Sequence, residues 1–140
     1  MPTLRDNRLQ AYRSLKVTRD GEGVLVAQFH TKGGPFMFPR RIRPSSSTLS
    51  TASAPDRANK IVILTGAGGE FIPGIDFASF GDVVDSGIGS PVHDEGVQIV
   101  ENIANIRVRV TAAVEGRAHV HSEYTLLASV IVASEGATFR

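Results

Sequence analysis

Two stretches of this sequence carry residue types at spacings that could do chemistry. The first runs from Asn59 to Phe80, NKIVILTGAGGEFIPGIDFASF. Its apolar start breaks into Gly66, Gly68 and Gly69, resumes at Phe71, and turns again through Pro73 and Gly74 before Asp76. Glycines at this density bring backbone close to another group. That group is either the chain itself, in a tight strand-to-helix connection, or a ligand such as a phosphate. The phosphate reading is weak. Gly66-x-Gly68 opens a G-x-G-x-x-G fingerprint, but its third position falls on Phe71, and Pro73 interrupts the helix that should receive a pyrophosphate. The second stretch is His119 to Tyr124, HVHSEY. An imidazole can donate to a carbonyl oxygen and titrates near neutrality, so His121 is a candidate catalytic group. On residue types alone, the plainer reading is that His119 and His121 cap a helix or face solvent.

The elements that must position these residues are legible from periodicity. Ile61, Val62, Ile63 and Leu64 form a short β-branched run bounded by glycine, which predicts a strand buried on both faces of an α/β sheet. Upstream, LKVTRD and VLVAQFH flank Gly21-Glu22-Gly23, a hairpin signal. His30 to Pro35 then turns away from the sheet. Downstream, Val92, Val97, Ile99, Val100, Ile103 and Ile106 recur at three- and four-residue spacing, predicting an amphipathic helix on the sheet, with His93 an exposed structural residue near its start. Val108 to Glu115 reads as the next strand, with Arg109 and Thr111 placing polar groups near the core. Phe77 to Val84 reads as a short helix or loop that Asp76 could cap, and Asp85 to Pro91 as a surface connection.

Two regions lack such patterning. Residues 1–13 are polar and read as a flexible lead-in. Residues 39–55, PRRIRPSSSTLSTASAP, form a Ser/Pro-rich irregular insert that offers no apolar helix face. Arg40, Arg41 and Arg43 there read as a solvated loop rather than a nucleic-acid patch. A two-base frame shift across the insert would permit an amphipathic helix with suitable codons.

Composition narrows the classes further. The 140 residues suffice for one domain with a real core, and 41% apolar content is ordinary for a globular protein. A net charge of +1 argues against a nucleic-acid binder. With no cysteine, neither a disulfide framework nor a cysteine-based zinc site can form. No apolar run approaches the ~20 residues of a membrane span, and the N-terminal residues lack a signal core. A cytoplasmic protein without metal or cofactor is expected.

The strand followed by T-G-x-G-x-x-F and x-x-G-x-D-hydrophobic resembles the crotonase (enoyl-CoA hydratase/isomerase) superfamily. Ala112 to Ala118, AAVEGRA, is similar to that family's A-A-V-x-G-x-A segment, and Ile131 to Phe139, IVASEGATF, to its I-x-A-x-x-A-x-F strand and turn. The resemblance implies an α/β, crotonase-like ββα spiral fold, incomplete because it covers the N-terminal half only, with a partial domain over residues 14–140. It also implies an oxyanion hole of two backbone amides, at Ile75 and at His121. Each such donor is commonly worth roughly 3 to 4 kcal/mol of barrier. The family's usual G-G-G at the second amide is here Val120-His121-Ser122, and hydratases place a glutamate where this chain has Tyr124.

Val120-His121-Ser122-Glu123, together with Ile75 to Phe80, IDFASF, resembles the 6-oxocamphor hydrolase and β-diketone hydrolase branch. There a histidine at the His121 position contacts a substrate carbonyl, and an aromatic residue near Phe38 lines the pocket, with Glu123 beside it. The implied activity is retro-Claisen cleavage of a carbon–carbon bond in a cyclic or β-diketone, with a small-molecule diketone as the partner. The alternatives are an acyl-CoA hydratase or isomerase and an inactive truncated fragment. The family's water-activating His and Asp and its trimerisation helices would fall beyond Arg140, so the homotrimers or hexamers of full-length relatives need not extend to this chain.

Overall fold

The structure is a computed structural model that describes residues 14–39, 59–80, 100–101 and 103–140. The lead-in 1–13, residues 40–55 of the Ser/Pro-rich insert, His93 and the connection 85–91 lie outside the described residues.

The chain enters through the hairpin that its alternation predicts. Strands β1 (Leu15–Arg19) and β2 (Val24–Phe29) pair antiparallel, Leu15 with Phe29 and Arg19 with Leu25. Asp20 closes the turn: its Oδ1 accepts the N–H groups of Glu22 at 2.9 Å and Val24 at 2.8 Å, while Gly23 takes φ 92°. The Val24 N–H, helped by the other turn amides and opposed by burial, holds the Asp20 carboxyl below its ordinary range. After β3 (Met37–Phe38), strand β4 (Ile61–Gly66) lies parallel to β2. Strand β5 (Gly74–Ile75) pairs with β3, and a 3-10 helix spans Phe77–Phe80. Strand β6 (Arg109–Val114) joins β4, and β7 (Arg117–Ala118) pairs with β9 (Thr138–Phe139). Helix α1 (Glu123–Leu126) leads to β8 (Val130–Ala133), which completes the main sheet in the order β1-β2-β4-β6-β8.

Register explains the core. Leu25 aligns with Val62 and Val110, and Ala27 with Leu64 and Ala112, so one face of the sheet carries unbroken apolar rows. All six residues are buried, and Phe71, Ile72, Phe36 and Tyr124 pack over them. Burying each Val or Leu side chain stabilises by roughly 1.5 to 3 kcal/mol. The opposite face differs from the sequence expectation: Ile61 and Ile63 are only half-buried, so β4 alternates rather than being sealed on both sides. The same alternation removes the difficulty at β6, because Arg109 points outward and Thr111 sits on the half-buried face. Of the amphipathic segment, residues 100–101 and 103–104 are helical, with Ile103 in the core, while Val92, Val97 and Ile99 lie outside the described residues. At the far edge, all four residues of β8 are exposed.

Candidate active site

The glycine-rich turn comes close to its own chain. A Cβ on Gly66 would collide with the carbonyl of Glu70 and with Phe71, and one on Gly68 would lie 2.9 Å from the Pro35 ring. The turn carries Glu70 to the start of β7, where Arg117 binds it three times. The Arg117 backbone N–H donates to Oε2 at 2.6 Å, and its Nε and Nη2 donate to Oε1 at 2.9 and 2.8 Å. Hydrogen bonds from the Arg117 side chain, then its backbone, hold the Glu70 carboxyl below the usual carboxylate range. No sequence motif singled out this latch. Its signal was Gly116 alone, a glycine at φ 59° whose added Cβ would strike Gly69 and Glu70.

Beyond the latch, the two candidate stretches are joined by backbone. The N–H groups of Phe71 and Ile72 donate to the Arg117 carbonyl, and the Ile72 carbonyl accepts from His119 at 3.0 Å and Val120 at 3.2 Å. His119 is also tied by its side chain, Nε2 lying 2.8 Å from the Thr138 hydroxyl. These contacts deliver the chain to His121, which adopts φ 52°, a left-handed conformation that favours glycine. The histidine thus occupies a backbone position at which the family pattern has glycine. Its N–H has no acceptor among the described residues, while its carbonyl accepts the Tyr124 N–H at 3.1 Å.

The other amide is positioned by β3. The Asp76 N–H donates to the Phe38 carbonyl at 2.9 Å. Successive amides of a strand point to opposite sides, so the Ile75 N–H is turned away from β3. The Asp76 backbone, rather than its carboxylate, starts the 3-10 helix: its carbonyl accepts the Ser79 N–H at 3.1 Å and hydroxyl at 2.7 Å.

Phe38 links the two halves, being paired in register with Ile75 while its ring centroid lies 4.1 Å from that of His121. Tyr124 stacks on the same imidazole at 5.1 Å and 8° between planes, and Glu123 Oε1 lies 2.6 Å from Nδ1. All four anticipated residues, Phe38, Ile75, His121 and Glu123, therefore belong to one connected group. Sequence reasoning placed Tyr124 only as a missing glutamate. In the structure it is 2% exposed, anchored against Phe29 at 6.5 Å, and its hydroxyl is buried with no hydrogen-bond partner among the described residues. Burial, and then the charge of Glu123, push its phenol well above the ordinary value.

No family model matches this chain, and no curated protein does. Solved structures do. A β-diketone hydrolase from the cyanobacterium Anabaena, bound to (S)-3-oxocyclohexyl acetic acid, is 34% identical over 99% of this chain and 54% of that one, with a TM-score of 0.80. An enoyl-CoA hydratase from Mycobacterium avium subsp. paratuberculosis is 25% identical over 91% of this chain and 47% of that one, with a TM-score of 0.68. An enoyl-CoA hydratase from Shewanella pealeana, 17% identical, shares the fold with a TM-score of 0.82 over 99% of this chain and 53% of that one. The chain belongs to the crotonase superfamily, the group of the enoyl-CoA hydratases and isomerases. Within that superfamily it resembles the β-diketone hydrolase branch. It spans about half the length of these relatives and carries a partial crotonase fold. Among the described residues, no helix is long and apolar enough to cross a membrane.

Proposed function

We propose that this chain supplies the oxyanion-binding part of a retro-Claisen hydrolase, which cleaves the carbon–carbon bond between the two carbonyls of a cyclic or β-diketone. The observation that carries the reading is the Phe38 link. One residue fixes β5 so that the Ile75 amide turns away from β3, and its ring packs on His121, whose own amide has no acceptor among the described residues. Two such N–H groups stabilise the negative charge that develops on a carbonyl oxygen when water attacks its carbon. Collapse of that adduct expels the carbon between the carbonyls as an enolate, leaving a carboxylic acid and a ketone.

The ligand of the Anabaena hydrolase carries both of those groups. Rejoining its acid carbon to an α carbon of its ketone gives a bicyclic β-diketone, the substrate class proposed for this chain. An acyl-CoA hydratase reading lacks its acid/base glutamate, because Tyr124 stands there with a phenol that burial keeps protonated. The test is titration of the 140-residue chain with bicyclo[2.2.2]octane-2,6-dione, following the diketone by saturation-transfer proton NMR. The reading requires saturable binding of the diketone, weakened on the order of tenfold in His121→Ala. Absence of diketone binding, or binding of crotonyl-CoA instead, would overturn it.

A further inference from the structure

The segment that follows the glycine-rich turn and the segment that follows β6 run side by side in the same direction, and a one-residue parallel bridge joins Ile72 to Ala118. Ile75 lies three residues beyond that bridge on one segment, and His121 three residues beyond it on the other, so the two oxyanion amides occupy equivalent positions in the register. A slip of one residue would carry one amide about 3.3 Å past the other, further than a hydrogen bond tolerates. Burial does little to prevent such a slip. Phe71 and Ile72 are both buried and apolar, so a shift exchanges one hydrophobe for another. The bonds from the His119 and Val120 N–H groups to the Ile72 carbonyl are blind to residue type and could form one position along. Side-chain bonds must set the register instead.

Upstream of the bridge, Glu70 supplies them. Both of its carboxylate oxygens are engaged by Arg117: Oε2 accepts the backbone N–H, and Oε1 accepts Nε and Nη2. Because one residue offers both its backbone and its guanidinium, the carboxylate is satisfied at a single position along β7. Gly116 allows the approach, since a Cβ there would strike the Gly69 carbonyl and the Glu70 carboxylate. An ion pair this open to solvent, with Arg117 55% exposed, adds little to stability, so position is what it supplies. We propose that the Glu70–Arg117 pair sets the register of the oxyanion site: Glu70 is a positioning residue that holds the Ile75 and His121 amides level, so that one carbonyl oxygen can meet both. The proposal rests on the reading of these amides as the diketone-binding pair.

The test is nitrogen-15 NMR of the labelled 140-residue chain titrated with bicyclo[2.2.2]octane-2,6-dione. In the wild type the Ile75 and His121 amide signals both shift, with one midpoint. Glu70→Ala should leave only one of them responding and weaken binding about tenfold, while Glu70→Gln, whose amide oxygen still accepts the Arg117 N–H, keeps both responses. Arg117→Glu alters an exposed side chain, sets two carboxylates against each other and should split the responses in the same way. Asp20→Ala opens the β1–β2 turn and lowers stability away from the site, so both responses and the affinity should persist. Lost stability alone leaves the responses of the folded molecules paired, and a split response therefore separates positioning from packing. Paired responses at wild-type affinity in Glu70→Ala or Arg117→Glu, or a split response in Asp20→Ala, overturn the proposal. A wild type in which neither amide responds overturns the diketone reading instead, and the register is then read without ligand. Cross-strand nuclear Overhauser effects between Ile72 and Ala118 must persist in Glu70→Gln and shift by a residue or vanish in Glu70→Ala; unchanged effects in Glu70→Ala overturn the proposal.

Discussion

Tyr124→Phe should make the protein more stable, against the usual direction for a change at a buried site. The ring keeps its stacking on His121 at 5.1 Å and its packing on Phe29 at 6.5 Å, because phenylalanine has the same ring. What is lost is a hydroxyl that is buried without a partner among the described residues. An unmade buried hydrogen bond costs about 1 to 3 kcal/mol, and the small void left by one oxygen returns part of that, so the net gain at pH 7 is about 1 kcal/mol. For a chain of this size that is a rise in Tm of roughly 4 °C. The gain must grow in alkali. The folded-state phenol is raised above its ordinary 10.0 by burial first and Glu123 second. Stability tied to it is therefore complete below pH 10 and lost as pH rises, because the unfolded chain ionises first. Wild type should lose about 1.4 kcal/mol relative to the variant by pH 11. Urea unfolding followed by circular dichroism at pH 7 and pH 11 measures both. A variant destabilised by more than about 1 kcal/mol at pH 7, or a gap that does not widen at pH 11, would refute the reasoning.

Two further substitutions test the packing. Gly66→Ala drives a methyl into the Glu70 carbonyl and Phe71, backbone atoms that cannot move aside, and should cost about 3 kcal/mol. Gly69→Ala meets nothing and bears only its positive φ of 72°, costing about 1 kcal/mol; equal losses in the two variants would contradict the close approach at Gly66. On the β8 edge, Val132 is 59% exposed beside Val130 and Ile131. Val132→Lys should reduce concentration-dependent self-association in sedimentation with stability nearly unchanged, and a wild type that stays monomeric at high concentration would count against this.

The scaffold was legible where local pattern and global packing agree. The β1–β2 alternation, the Ile61–Leu64 run and the strand near Val108–Glu115 all fell within a residue or two of the observed strands. The depth of burial at β4 was not, since a run of four apolar residues looks the same whether one face or both are sealed. His121 was legible only through the family resemblance: nothing in HVHSEY by itself announces a left-handed histidine. Tyr124 and the Glu70–Arg117 latch were missed for a common reason. Their partners lie far along the chain, Tyr124 against Phe29 and Arg117 against a carboxylate 47 positions away, and no periodicity records such distances.

The parallel register carries a consequence for how the molecule assembles. Val24 pairs with Ile61, Ile61 with Arg109 and Thr111 with Val130, at separations of 37, 48 and 19 residues. Closing the longest of these loops costs about 0.8 kcal/mol more entropy than the shortest. The β1–β2 hairpin and the β6–β8 pair are thus the cheapest pieces to form, and β4 is the strand that must bridge them. Because β4 runs straight into the turn that carries Glu70 and Ile75, loop closure orders the events: two islands of sheet come first, and the segments of Ile75 and His121 meet only when the central strand docks.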